Sequence, residues 1–241
     1  MYYIFSSAVS ILLLIVTARY EQSIVLPERD FDAVNLLGVV VLLVSILSAI
    51  ILVCLFVFKS AFAGWVGDND AVEWFYLLPL SLFLNGCFLG FYNWCLRKNF
   101  FKTISSSKII ESVVNNSTKI AGGGLRVGLP VLILSTVFSQ AAMLLVVGIK
   151  SWHTVKENIH SVSMRQMWLM AKKFQHFPSL LLWGTLFNVA AYYLPNLFLP
   201  KYFGVETAGY FGFTQRIFQL PVAAIGLAAG ETFRQHSVEE I

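Results

Sequence analysis

Charged residues are scarce in this chain. Asp, Glu, Lys and Arg make up only 12% of its 241 residues, whereas hydrophobic residues make up 57%. An average soluble domain carries about 25% charged residues, so this chain cannot cover a globule with polar surface. The shortage excludes an ordinary soluble domain. We expect an all-α membrane protein, a polytopic bundle of about seven transmembrane helices.

Cysteine and histidine are also few. Cys54, Cys87 and Cys95 lie in apolar runs, at spacings that match no metal motif, and their odd number excludes a fully paired disulfide framework. The four histidines form no cluster with them, and the chain contains no HExxH, GxSxG or P-loop motif. We therefore expect no enzymatic activity, no metal and no cofactor.

The net charge of +4 does not indicate a nucleic-acid partner. The lysines and arginines lie in short loops between apolar runs, a distribution typical of membrane proteins with basic cytoplasmic loops. We expect membrane lipid, and no nucleic acid, as a partner.

Spanning the hydrocarbon core of a bilayer takes about 20 apolar residues. The first segment resembles a signal peptide, but residues 1–7 lack lysine and arginine, which favours a retained helix. Two segments carry charge: 109–125 holds Glu111 and Lys119, and 207–230 holds Arg216. The seven predicted spans are 1–18, 33–58, 74–96, 109–125, 127–149, 177–200 and 207–230.

The distribution of cations predicts the orientation. If all seven segments cross, twelve lysines and arginines fall on one side and four on the other, with Arg216 inside a span. The basic side is expected to be cytoplasmic, which places the N-terminus of this chain outside and its C-terminus inside. The split requires that 109–125 crosses.

The longest cytoplasmic loop, 150–176, contains an amphipathic stretch. Residues 163–174 alternate apolar side chains such as Trp168 with Arg165, Lys172 and Lys173. This pattern favours a helix on the inner leaflet over an ordinary basic loop.

Polar groups inside the spans are the candidate functional residues, because they are costly in lipid and normally face a bundle interior or a cavity. Glu111, Asn115 and Lys119 recur every four residues and share a helix face. They either line a cavity or extend from the two ends of the span to its interfaces.

Arg216 lies near the middle of the last span, beside Gln215 and one turn before Gln219. An arginine at this depth is expected to contact an anionic ligand or to pair with Glu111, the one acid in the predicted spans. Pro221, which follows, is expected to kink the helix.

Mixed charges follow the first span, beginning with Arg19 and Glu21. They form either a salt-bridge latch that breaks when the protein changes conformation or a solvated turn.

The runs "ARYEQSIVLPERDFDAVNLL", "YLLPLSLFLNG" and "NWCLRKNFFKTISSSKIIES" resemble the oligosaccharide flippases of polysaccharide biosynthesis. The run "FPSLLLWGTLFNVAAYYLPNLFLPKYFGVETAGYFGFTQRIFQLPVAAIG" resembles the start of their second lobe. These flippases belong to the multidrug/oligosaccharidyl-lipid/polysaccharide exporter superfamily, and the likeness covers nearly the whole chain.

The resemblance implies helices two to eight of a two-lobed transporter with 12 to 14 helices. Residues 1–149 would belong to the first lobe, 150–176 would form a cytoplasmic linker, and 177–241 would begin the second lobe. Such a transporter moves polyprenyl-diphosphate-linked oligosaccharide across the inner membrane for surface polysaccharides such as O-antigen and lipopolysaccharide. The lipid-linked oligosaccharide is thus the implied substrate, and other membrane proteins of polysaccharide assembly are possible partners.

The resemblance also assigns roles to residues. Arg216 matches an arginine of the eighth helix and is implied to hold the lipid diphosphate. Arg19 and Glu21 match the charged end of the second helix. The alternatives are a cation-coupled drug exporter of the same superfamily, whose intramembrane carboxylate would be Glu111, and a membrane-embedded glycan-processing enzyme.

Overall fold

The computed structural model describes residues 2–58, 73–124 and 129–219. Most residues in these ranges are helical and none is in a strand, which confirms the all-α class. The helices are α1 (Tyr2–Thr17), α2 (Asp30–Val57), α3 (Leu78–Arg97), α4 (Phe101–Gly124), α5 (Leu129–Asn158), α6 (Met164–Lys173), α7 (Leu182–Phe203) and α8 (205–219). A 3₁₀ helix, Tyr20–Val25, joins α1 to α2, and a π-helical turn, Phe177–Leu181, precedes α7.

Four helical segments are long and apolar enough to cross a membrane: Asp30–Val57, Phe75–Arg97, Pro130–Asn158 and Phe177–Phe203. These helices make the chain a membrane protein. Helix α1 is apolar but shorter.

Helix α4 is different. Its 24 residues extend for about 36 Å, yet it is not among the four apolar candidates because serine, asparagine and lysine interrupt it. Whether α4 crosses, as the charge count requires, stays a prediction. The last predicted span, 207–230, is described only as far as residue 219, and Pro221 lies outside the described residues.

Helices α1, α2, α3 and α5 form a close-packed bundle, with α4 lying along α5. Phe5, Val40 and Trp94 are fully buried in its core. Glycine lets α2 and α3 approach closely, because a Cβ added at Gly86 would lie 2.7 Å from a methyl carbon of Val44. Small residues at helix interfaces of this kind are typical of packing in membranes.

Arg97, at the end of α3, fixes the connection between α1 and α2. Its Nε donates to Asp30 Oδ1 over 3.0 Å, and its other nitrogens donate to the carbonyls of Val25, Pro27 and Glu28. One guanidinium therefore satisfies several carbonyl groups that the turn leaves without helical partners.

The amphipathic stretch 163–174 is a helix, as predicted. The Ser163 hydroxyl accepts from the backbone N–H of Gln166 and caps its start. One side of α6 packs on the bundle through Met167, while Trp168 on the other side is exposed. Its position on the inner leaflet stays a prediction.

Helices α7 and α8 bring the end of the described chain back to its beginning. Helix α7 packs against α1 and ends at Gly204, whose φ of +86° suits a residue without a Cβ. Helix α8 turns back so closely that a Cβ on Gly212 would lie 2.4 Å from the ring of Tyr3. Together α1, α7 and α8 enclose a polar space.

Candidate functional site

The polar space is a cavity of about 160 Å³. Arg216, Gln215 and Gln219, which the sequence analysis selected on α8, all line it. The other lining residues come from α1, α7 and α8: Tyr2, Tyr3, Ser6, Ser7, Tyr192, Tyr193, Asn196 and Gly212. Arg216 is the one charged residue among these described lining residues.

Hydrogen bonds near Pro195 of α7 support this wall of the cavity. Pro195 lies within the helix and has no N–H to donate to the preceding turn. Gln215 Nε2 on α8 donates to the Tyr192 carbonyl in this turn over 3.0 Å. Asn196 Nδ2 in turn donates to Gln215 Oε1 over 2.8 Å. These two hydrogen bonds join α7 to α8.

The buried carboxamide of Asn196 keeps one free acceptor. Asn196 is only 3% exposed, and its Oδ1 has no hydrogen-bond partner within the described structure. A buried acceptor left unpaired costs about 1–3 kcal/mol. Because Asn196 lines the cavity, a hydroxyl or amide donor of a ligand that reached this oxygen would remove that cost.

The three candidates on α4 do not act together. Lys119 lies next to the cavity, because its Nζ is 5.4 Å from the centroid of the Tyr2 ring. Asn115 Nδ2 donates instead to Ser139 Oγ on α5 over 3.0 Å, which joins two helices of the bundle. The helix face that Asn115 and Lys119 share therefore contacts α5 at one position and the cavity residue Tyr2 at the other.

Glu111 pairs with a neighbour on its own helix. Its Oε2 lies 3.4 Å from Lys108 Nζ, and within the described residues its ion pair is with Lys108 and not with Arg216. In the part of the chain that the structure describes, Arg216 therefore forms no ion pair, with Glu111 or with another acid.

Arg19 and Glu21 do form an ion pair, with 3.4 Å between Nη1 and Oε1. Glu21 is only 2% exposed, so it is not part of a solvated turn. Burial raises the pKa of its carboxyl above the ordinary value, and the nearby Arg19 lowers it in part. Arg19 Nη2 also reaches Thr185 Oγ1 on α7, at 3.5 Å. The pair thus lies where the bundle meets α7, and its role as a latch stays a prediction.

Comparison with known proteins gives the family. A family model described as "Polysaccharide biosynthesis protein" matches residues 3–230. The chain belongs to this family. No curated protein and no solved structure matches the chain.

Membership in the polysaccharide biosynthesis family confirms the resemblance seen in the sequence. Sequence reasoning found the α8 wall of the cavity because charge inside a span is a strong signal. It missed the other lining residues, among them Tyr2, Tyr3, Tyr192, Tyr193 and Asn196. The tyrosines are visible in the sequence only as two Tyr-Tyr dipeptides in apolar runs.

Proposed function

We propose that this chain is a membrane transporter, or part of one, that flips polyprenyl-diphosphate-linked oligosaccharide from the cytoplasmic to the outer leaflet of the inner membrane. The observation that carries the proposal is Arg216, a cation without an ion-pair partner in the described residues, in a polar cavity between apolar helices. A guanidinium suits the oxygens of a diphosphate, with which it forms charge-assisted hydrogen bonds. Membership in the polysaccharide biosynthesis family supports the same substrate class.

In this proposal, some charged residues bind the substrate and others stabilise one conformation of the transporter. Arg216 binds the diphosphate, and Lys119, beside Tyr2, adds a second positive charge near the cavity. The Arg19–Glu21 pair, with its contact to Thr185, holds the bundle and α7 together in one conformation. Release of this contact would let α7 and α8 move relative to the bundle, as alternating access requires.

The same cavity counts against the two alternatives. A cation-coupled drug exporter would need a carboxylate there, and none of the described lining residues carries one. Arg216 would repel a cationic drug. A glycan-processing enzyme would need a nucleophile or a general base, and the lining offers hydroxyl and amide groups without a histidine or an acid beside them.

A complementation experiment tests the proposal. Cells that lack the gene should lose the surface polysaccharide and accumulate lipid-linked oligosaccharide in the cytoplasmic leaflet. The wild-type gene and Arg165→Ala, a matched change on the exposed face of α6, should restore export, whereas Arg216→Ala should not. Protein levels in the membrane are compared by immunoblot. Full export by a normally expressed Arg216→Ala protein would show that the assigned role is wrong, and normal export in the deletion strain would refute the function itself.

A further inference from the structure

Four tyrosines line the cavity in two pairs of adjacent residues. Tyr2 and Tyr3 belong to α1, and Tyr192 and Tyr193 belong to α7. The rings within each pair are edge-to-face, with centroids 5.7 Å apart at 66° in the first pair and 4.9 Å apart at 83° in the second. The four rings therefore bring both apolar ring surface and polar hydroxyl edges to the lining, and the Tyr2 hydroxyl is already paired with Thr136 Oγ1 at 3.4 Å.

This combination suits a sugar ring better than it suits a phosphate. A pyranose has apolar faces of C–H groups, which pack on the electron-rich faces of aromatic rings, and an equator of hydroxyls that donate and accept. The cavity provides both kinds of contact. We propose that it is a saccharide subsite that takes a single neutral pyranose ring of the lipid-linked oligosaccharide, and this inference rests on the proposed function.

The carboxamides fix the direction of the hydrogen bonds. Gln215 must donate to the Tyr192 carbonyl, so its oxygen accepts from Asn196 Nδ2, and the Asn196 oxygen is left as the free acceptor. That oxygen is buried and belongs to a residue that lines the cavity. A sugar hydroxyl is a donor of the right kind and would remove the cost of leaving this acceptor unpaired.

The charge of the cavity lining and the volume of the cavity both fit a single sugar ring. Apart from Arg216, the described lining is neutral, so the cavity cannot neutralise a diphosphate by itself and is better suited to a neutral group beside one. Its volume of about 160 Å³ is well below the roughly 300–1,000 Å³ of pockets for drug-sized ligands. A single ring attached to the diphosphate that Arg216 binds satisfies both limits.

Binding of short-chain analogues tests the subsite separately from the function. The full chain, purified in lipid nanodiscs, is titrated with farnesyl diphosphate and with farnesyl diphosphates that carry one glucose, galactose, N-acetylglucosamine or N-acetylgalactosamine. We expect at least one glycosylated form to bind about tenfold more tightly than farnesyl diphosphate, a gain that one good buried hydrogen bond to a hydroxyl can supply.

Substitutions then assign the gain to the cavity. Asn196→Leu should abolish it and leave the affinity for farnesyl diphosphate unchanged, which also shows that the variant is folded. Tyr193→Ala should reduce the gain in the same way. Asn188→Leu, a matched change at an exposed position of α7 outside the cavity, should have no effect. Arg216→Gln should weaken the binding of all the diphosphates alike.

The outcomes distinguish the two proposals. If wild-type protein binds every glycosylated form no more tightly than farnesyl diphosphate, the saccharide subsite is wrong and the flippase proposal stands. If Asn196→Leu and Tyr193→Ala keep the full gain, the sugar binds elsewhere and the subsite is again wrong. If the wild-type chain binds none of these lipids, the proposed function fails and the subsite fails with it.

Discussion

The helical bundle α1–α5 and the pair α7–α8 differ sharply in how much of their surface is buried. In the most apolar 18 residues of the bundle helices, the buried share is 22% in Asp30–Val57, 39% in Pro130–Asn158 and 50% in Phe75–Arg97, whereas in those of Phe177–Phe203 no residue is buried. The bundle has a core of its own, and α7 and α8 are attached to it along α1 and across the polar cavity. The candidate site thus lies where α7 and α8 meet α1, beside the buried core of the bundle and not within it.

The largest expected difference concerns two tryptophans. Trp94 in α3 is fully buried and its Nε1 donates to Thr154 Oγ1 over 3.0 Å, whereas Trp183 in α7 is 54% exposed. Trp94→Ala should lower the free energy of unfolding by about 3–5 kcal/mol, because it leaves a large cavity in a packed interior. Trp183→Ala should lower it by less than about 1 kcal/mol, as is usual for exposed positions.

Unfolding of the detergent-solubilised chain by sodium dodecyl sulfate, followed by circular dichroism, measures both changes. Equal losses for Trp94→Ala and Trp183→Ala would contradict the contrast in packing between the two regions.

Substitutions at two glycines allow a comparison of the α2–α3 contact with the α1–α8 contact. A Cβ at Gly86 would lie 2.7 Å from Val44 inside the bundle, and a Cβ at Gly212 would lie 2.4 Å from the ring of Tyr3 between α8 and α1. Gly86→Ala should cost about 1–3 kcal/mol, since packed helices cannot separate without losing contacts. Gly212 is buried as well and its clash is the closer one, so Gly212→Ala should cost less than Gly86→Ala only if α8 moves away from α1.

The same unfolding assay gives the two free energies. Gly212→Ala should also displace the Tyr3 ring and weaken ligand binding in the cavity, which Gly86→Ala should leave intact. The reverse order of stability losses would show that the α1–α8 junction is the rigid one.

The sequence predicted the bundle better than the cavity, and the reason is physical. Apolar runs of membrane length identify helices one at a time, because the bilayer sets their length whatever their neighbours are. A cavity depends on which helix faces meet, and nothing in the runs that contain Tyr3 and Tyr193 shows that α1 and α7 are neighbours. The resemblance to a family supplied the order of the helices but not these contacts.

The surroundings of some charged residues could be predicted from the sequence and those of others could not. Arg216 was predictable because a cation far from both ends of an apolar run must find a polar environment. The partner of Glu111 was not, since the choice between Lys108 on the same helix and Arg216 on another depends on tertiary distance. The burial of Glu21 also depends on packing of the 3₁₀ helix against α2 and α3, which no local pattern shows.

The smallest expected effect is a dependence of stability on pH that Glu21 causes. Burial raises the pKa of this carboxyl above its ordinary value of 4.5, so the folded protein holds the proton more tightly than the unfolded chain does. The stabilisation is fully present below the unfolded pKa and is lost as the pH rises through the folded pKa. Wild-type protein should therefore lose stability across this window, in addition to any contribution from other groups.

Replacing Glu21 with glutamine removes the titrating group while keeping its size, so the difference between Glu21→Gln and wild type isolates that contribution. The free energy of unfolding of the variant should change less with pH than that of the wild type, and Glu28→Gln, at an exposed position of the same connection, should follow the wild-type profile. If Glu21→Gln and wild type run parallel from acid to neutral pH, Glu21 does not titrate differently on folding. A real difference would show that Glu21, whose partner Arg19 also contacts Thr185 on α7, holds its proton more tightly in the folded protein.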